Sequence, residues 1–314
     1  MSRNTIKIAT ILCVVALVAC GALILGRSIF TATHYANAEK YTVGGATLKD
    51  AVKHLDVNWT DGSVTLAYHA KDTVEIAETA KKPISEGATL RWWLDGDTLR
   101  IQYAKSGYFS FFSPEKALTI TLPEGVELGS VDINVTSGDV NVPELLASDV
   151  AIHQTSGDLS LKHSGEAERV ALSSTSGDIR AEVGDVKRLS ADVTSGEIHL
   201  ALGRTDELSA STTSGDIDVR GDAAQKASLS STSGKIGVSL AAFDALEIEA
   251  TSGDITVALP AEPGYRADIH TTSGKFDYTV PLARDGDAYT CGDGSASLSI
   301  HVTSGDVRLT DIGE

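Results

Sequence analysis

The 314-residue sequence predicts an all-β fold: a β-solenoid, parallel β-helix-like, of about nine 19–21-residue repeats with an irregular β cap, preceded by one N-terminal transmembrane helix. Three observations predict it. Thr-Ser-Gly recurs at Thr136, Thr155, Thr175, Thr194, Thr213, Thr232, Thr251, Thr272 and Thr303, most copies nineteen positions after the one before and only the last much further on. Apolar residues alternate with a period of two on both sides of each copy. The N-terminal stretch holds a long uncharged run. A fixed period of about 20 residues marks a repeat architecture in which each unit buries its apolar face only by stacking on the next.

The N-terminus opens with Arg3 and Lys7, then runs without charge from Ile8 to Gly26 before Arg27. That run is long enough to cross the hydrocarbon core as a helix, so 1–7 reads as a short cytoplasmic N-terminus and 8–30 as the span. A cleaved signal peptide wants a polar continuation, whereas Ala22-Leu23-Ile24-Leu25 stays apolar. Leu17-Val18-Ala19-Cys20-Gly21 matches a bacterial lipobox, which makes lipidation of Cys20 the main rival to a permanent helix. Arg3, Lys7 and the free amine place the N-terminus inside and the rest of the chain outside the cell membrane.

Residues 31–46 are polar and weakly patterned and read as a juxtamembrane linker. Residues 47–125 read as the β-rich N-terminal cap section. His54 to Trp59 and Ser63 to Tyr68 flank Asp61-Gly62, a hairpin signal, and Asp95-Gly96-Asp97 is a second turn. All three Trp residues lie in this section, as expected of the atypical end that shields a solenoid's first coil. Tyr108, Phe109, Phe111 and Phe112 form a candidate contact loop for lipid or a partner. The competing reading folds that loop back over the cap.

Residues 126–314 carry the repeats. Apolar side chains fall four and six residues before each Ser, as in Ile133 and Val131 or Ile248 and Leu246. They resume two and four residues after the Gly, as in Ile198 and Leu200. The alternation changes phase at the Gly, which reads as a corner. The structural motif is thus the series of corner pairs Ser137-Gly138, Ser156-Gly157, Ser176-Gly177, Ser195-Gly196, Ser214-Gly215, Ser233-Gly234, Ser252-Gly253, Ser273-Gly274 and Ser304-Gly305. Each repeat becomes two strands of about six residues, the corner, and a polar return such as Gly203-Arg204-Thr205-Asp206. Continuing the alternation predicts that the Ser side chains stack inward and the preceding Thr side chains outward.

Asp139, Asp158, Asp178, Asp216, Asp254 and Asp306 follow the Gly, with Glu197, Lys235 and Lys275 in the remaining copies. A regular acidic file suggests calcium, but the nine-residue Gly-Gly-x-Gly-x-Asp turns of calcium β-rolls are not present and Lys interrupts the file. Bonding of Asp to nearby backbone is the reading adopted. The eight His residues have no metal-ligand spacing, and no Gly-x-Ser-x-Gly nucleophile motif occurs, so no catalytic, cofactor or metal residue is assigned. His153, His270 and His301, three residues before a motif Ser, are expected on an outer face. Cys291 is the one thiol expected outside the membrane, which leaves no intramolecular disulfide there. A formal charge of −17 argues against nucleic acid as a partner and favours solubility of a long sheet.

The N-terminal hydrophobic helix, the strand Leu118 to Pro123, the serial Thr-Ser-Gly-Asp motifs and Gly292 to Gly294 ahead of the last copy resemble a bacterial putative-adhesin family, a domain of unknown function with β-strand repeats. The resemblance covers about residues 47–312. It implies a cell-surface binding role, with some relatives tied to envelope stress, and transfers no catalytic residue. The expectation is a non-enzymatic membrane-anchored envelope protein whose solenoid binds an envelope protein or glycan or acts as a scaffold. Self-association through end-to-end stacking is a variant. A regulatory accessory acting through a membrane partner, and a glycan-active β-helix enzyme, are the alternatives.

Overall fold

The computed structural model describes residues 34–108, 114–260, 262 and 264–312. The transmembrane expectation for 8–30 and the positions Phe109, Phe111 and Phe112 lie outside the described residues. Among the described residues no helix is long and apolar enough to cross a membrane. Strands make up most of the described residues.

Each repeat forms one coil of a stack. The strand ahead of the Ser-Gly corner lies on one face, here the leading face, and the strand after it on the other, the trailing face. Eleven strands stack in parallel on the leading face: Thr98–Gln102, His54–Asp61, Leu128–Ser137, Ala147–Ser156, the second halves of five long strands from Leu159–Ser176 to Ile236–Ser252, then Ala296–Ser304 and Gly264–Ser273. At about 4.8 Å per step the rod is on the order of 50 Å long. The nineteen-residue period becomes lateral register: Ser156 pairs with Ser176, Ser176 with Ser195 and Ser195 with Ser214.

The alternation fills the core as expected. Val131, Ile133, Leu189, Ala191, Ile198, Leu200, Leu298 and Ile300 are all buried in one continuous apolar column. Burying one such Leu or Ile stabilises by about 1.5–3 kcal/mol, repeated in every coil. The motif Ser residues do not join that column. Ser137, Ser156, Ser176, Ser195, Ser214, Ser233, Ser252, Ser273 and Ser304 are exposed beside their Thr neighbours, correcting the inward hydroxyl ladder. The inward position lies two residues earlier, at Val135, Gln154, Ser174, Val193, Thr212, Ser231 and Ala250, all buried. The chain therefore begins to turn one residue before the Ser rather than at the Gly. Where that inward residue is polar it can reach the corner below: Gln154 Nε2 donates to the Gly138 carbonyl at 2.6 Å, and Thr212 Oγ1 to Gly196 at 3.4 Å.

The returns continue the strands, with one register shift between His163 and Glu166 in the first of them. The long strands run straight through them, so each return is itself a parallel ladder with its own inward residue: Ala167, Val186, Thr205 and Ala224, followed by the partly buried Phe243.

Two corrections concern the ends. Asp61-Gly62 closes no hairpin; it is a degenerate corner. His54–Asp61 pairs in parallel with Leu128–Ser137 (Asp61 opposite Ser137), and Val64–His69 with Val140–Val142. Gly62 has φ +101°, and its N–H donates to the Ser137 carbonyl at 2.7 Å as in later corners. Antiparallel strands finish this end: Arg91–Asp95 and Thr42–Val43 beyond the leading face, Val74–Ala80 and Ala46–Leu48 beyond the trailing face. At the other end the stack departs from sequence order. Ser252 is the register partner of Ser304, and Ser304 of Ser273, so the last coil slots between the two that precede it. The chain first makes the terminal layer (Gly264–Ser273, Phe276–Tyr278), returns through Ala283–Asp285 and Ala288–Gly292, and then fills the gap with Ala296–Ser304 and Val307–Asp311. The long spacing before the last motif is the length of that detour.

Candidate functional site

The corners explain the motif residue by residue. The seven corner Gly residues from Gly177 to Gly305 have φ between +120° and +153°, which side chains resist. A Cβ would also strike the neighbouring corner: at Gly215 it would lie 1.9 Å from the Gly196 carbonyl oxygen. The glycine N–H crosses to the next coil, as in Gly196 to the Ser214 carbonyl at 2.9 Å.

The carboxylate file is bonded to backbone. Asp139 Oδ1 accepts from the N–H of Asp158 at 3.0 Å, Asp158 from Asp178 at 3.0 Å, Asp178 from Glu197 at 2.9 Å and Asp216 from Lys235 at 2.7 Å. After the detour Asp254 accepts from Asp306 at 3.0 Å and Asp306 from Lys275 at 2.8 Å. The turn-chemistry reading therefore describes these carboxylates, with the bond made to the next coil rather than within the turn. The Glu197 N–H, assisted by Arg180, holds the Asp178 carboxyl below its ordinary pKa. No group of three or more His, Cys, Asp or Glu placed to hold a metal occurs among the described residues.

The outer faces differ. On the trailing face Asp178 pairs with Arg180 at 2.9 Å, Glu197 with His199 at 3.0 Å and Asp218 with Arg220 at 3.1 Å, one pair per coil. These exposed pairs add little stability but line this face with carboxylates beside Arg180, His199 and Arg220. The leading face carries small polar side chains: the outward Thr194, Thr213 and Thr232, with Ser190, Ser209 and Ser228 four residues before each. Where this face meets the return side it hollows into an open groove of about 500 Å³ across four coils, lined by Glu207, Lys226, Ser228, Glu247, Ser297 and Ser299. His153, His270 and His301 are exposed on this face; His270 and His301 are adjacent, with ring centroids 6.1 Å apart.

Three features were not anticipated from the sequence. Lys116 is fully buried in the N-terminal section, where its ammonium pairs with Glu78 at 2.9 Å and donates to the Ala88 carbonyl at 2.6 Å. The same ammonium lies 3.8 Å from the Tyr103 ring centroid and 4.7 Å from that of Trp59. Burial drives its pKa down despite Glu78. His163 is buried against the Ala147 carbonyl at 2.7 Å. Tyr68 donates to the Glu144 carbonyl, and burial pushes its pKa up to about 12. Cys291 is a buried, reduced thiol whose pKa burial raises. Tyr108, from the candidate contact loop, packs against the edge of the cap's core.

A family model described as Toastrack DUF4097 matches residues 52–310. Solved structures with a similar course are a putative cell adhesion protein from Clostridium sporogenes (12% identity, 86% of this chain and 100% of that one, TM-score 0.22) and a putative adhesin from Bacteroides fragilis (14%, 86% and 97%, 0.40). A third is a putative lipid binding protein from Parabacteroides distasonis (15%, 84% and 95%, 0.44). No curated protein matches.

Proposed function

The chain belongs to the Toastrack DUF4097 family, a domain of unknown function, and from that premise we propose a non-enzymatic binding module of the cell envelope. It is held to the membrane by the apolar run within 8–30, with the solenoid outside. The observation that carries this reading is the use made of the acidic file: the carboxylates that the repeat multiplies are bonded to backbone N–H groups of the next coil, which leaves them to hold the stack together. Paired carboxylates for glycan cleavage work instead by facing a substrate across a cleft. What the repeat offers to the outside is a face of Ser, Thr and interspersed charged side chains and an open groove running across coils. Such a groove suits an extended envelope polymer, peptide or glycan, laid along the rod.

Capture from cross-linked envelopes tests the reading. The native chain should recover an envelope component, and Ser228→Trp with Lys226→Glu, both on exposed groove positions, should lose it without loss of β-structure. Capture of no envelope component, or equal capture by the filled groove, would count against it. Turnover of an envelope glycan by the purified chain would overturn the non-enzymatic part.

A further inference from the structure

We propose that the N-terminal end of the rod is a bilayer-docking surface, so that the solenoid stands on the membrane rather than hanging from a loose tether. The proposal rests on the membrane-anchored reading and adds to it a contact surface and an orientation.

From residue 34 onward the chain is already fixed to the cap. Tyr35 donates its hydroxyl to the Ala104 carbonyl at 3.1 Å and accepts from the Ser106 N–H at 3.0 Å. The Gly44 N–H donates to the Leu90 carbonyl at 3.0 Å, and Thr42–Val43 and Ala46–Leu48 are the outermost strands of the two faces. Within the segment expected as a juxtamembrane linker, residues 34–46 are therefore part of the end layer of the rod. Only residues 31–33 separate it from the end of the span expected over 8–30, a reach of about 14 Å at full extension. An anchored chain has this end against the headgroups.

This end presents clustered aromatic side chains and a lysine. The rings of Tyr35 and Tyr41 lie 4.7 Å apart, and those of Tyr41 and Trp93 5.7 Å apart. The Lys40 ammonium sits 4.6 Å from the Trp93 ring, and Val43 is 45% exposed beside them. Tyr and Trp with a snorkelling Lys are the side chains that settle at a membrane–water interface. A second aromatic cluster among the described residues, the half-buried Phe276 and Tyr289 with the exposed Tyr278, lies at the opposite end of the stack.

Charge is unevenly divided along the rod. Residues 31–125 hold ten Lys or Arg and twelve Asp or Glu, whereas 126–314 hold thirteen and thirty-one. The end layer and cap are close to neutral and the remaining coils carry a net −18. An anionic bilayer repels a rod lying flat along it but not one standing on its neutral end, because its field decays within about 8 Å at physiological salt.

The test uses the full chain in vesicles of phosphatidylcholine and phosphatidylglycerol, with and without brominated acyl chains. In a Trp92→Phe background two indoles remain: Trp93, and Trp59, which at 2% exposure serves as an internal reference. Docked at the interface, about 5–10 Å into the headgroup–acyl boundary, Trp93 should lose emission roughly twofold in brominated vesicles. The Trp92→Phe/Trp93→Phe chain should lose none. A chain that floats with the vesicles while Trp93 emission is unchanged would overturn the docking and leave the anchor standing. A chain that does not float would remove the anchor, and the docking with it.

Discussion

Gly234 and Gly237 lie three residues apart in one coil, and Ala at the two positions should have opposite effects. At Gly234 φ is +146° and a Cβ would sit 1.9 Å from the Gly215 carbonyl oxygen. A non-glycine residue held in that backbone region costs about 1–3 kcal/mol. The contact is with backbone, so the corner must also move, at the expense of the bonds from Gly215 N–H to Ser233 (3.0 Å) and from Gly234 N–H to Ser252 (3.0 Å), each worth about 1 kcal/mol. Gly234→Ala should therefore lose about 3–5 kcal/mol. At Gly237 a Cβ would meet nothing nearer than Asp218 Oδ1 at 3.4 Å, in ordinary backbone. Gly237→Ala should be neutral or stabilising by up to about 1 kcal/mol, because it restricts the unfolded chain. Urea titration followed by far-ultraviolet circular dichroism measures both. Equal midpoints for the two variants would refute the reasoning that corner glycines are required by the stacking.

Three further outcomes follow from named contacts. Lys116→Met strands Glu78, whose side chain is 8% exposed, and should cost about 3–5 kcal/mol in the same titration; adding Glu78→Gln should restore part of it. Asp216→Ala removes the acceptor for the Lys235 N–H and should cost about 1 kcal/mol, whereas Asp216→Asn keeps an acceptor and should cost less. Tyr68 keeps its proton in the fold up to about pH 12, whereas an unfolded tyrosine loses it near pH 10.0. The folded state thus binds more protons across that window, so stability should fall by about 1–2 kcal/mol as pH rises through it, after discounting for partial exposure. Tyr68→Phe should flatten that part of the pH–stability curve.

The architecture was legible wherever period and alternation agreed. Ile198 and Leu200 repeat at nineteen-residue intervals, and their burial follows from the pleat. The Ser orientation was not, because the backbone begins to turn one residue before the Ser, and alternation carries no record of where a strand's pleat ends. The first coil was hidden by a substitution: Trp59-Thr60-Asp61-Gly62 is a corner with Asp for Ser, and Asp-Gly between apolar runs also signals a hairpin. Register between Asp61 and Ser137, with the whole cap section intervening in the chain, is non-local information. Lys116 was unreadable for a similar reason, since Glu78, Tyr103 and Trp59 come together only once the end layers close over one another. Among candidate contact residues the groove gives the weakest sequence signal. Lys226 and Ser228 look like ordinary outward strand positions until the hollow they line is seen.

The order of the final coils tests the stacking most directly, because sequence order and spatial order disagree there. Cysteines at register partners on neighbouring strands lie within the roughly 4.4–6.8 Å Cα separation that a disulfide spans, whereas strands two steps apart, about 10 Å, do not. With the native cysteines replaced by Ser, Ser252→Cys/Ser304→Cys and Ser273→Cys/Ser304→Cys should each oxidise to a disulfide in the folded chain, and Ser252→Cys/Ser273→Cys should not. A disulfide between 252 and 273, with none between 252 and 304, would mean that the coils stack in sequence order and would contradict the intercalated rod.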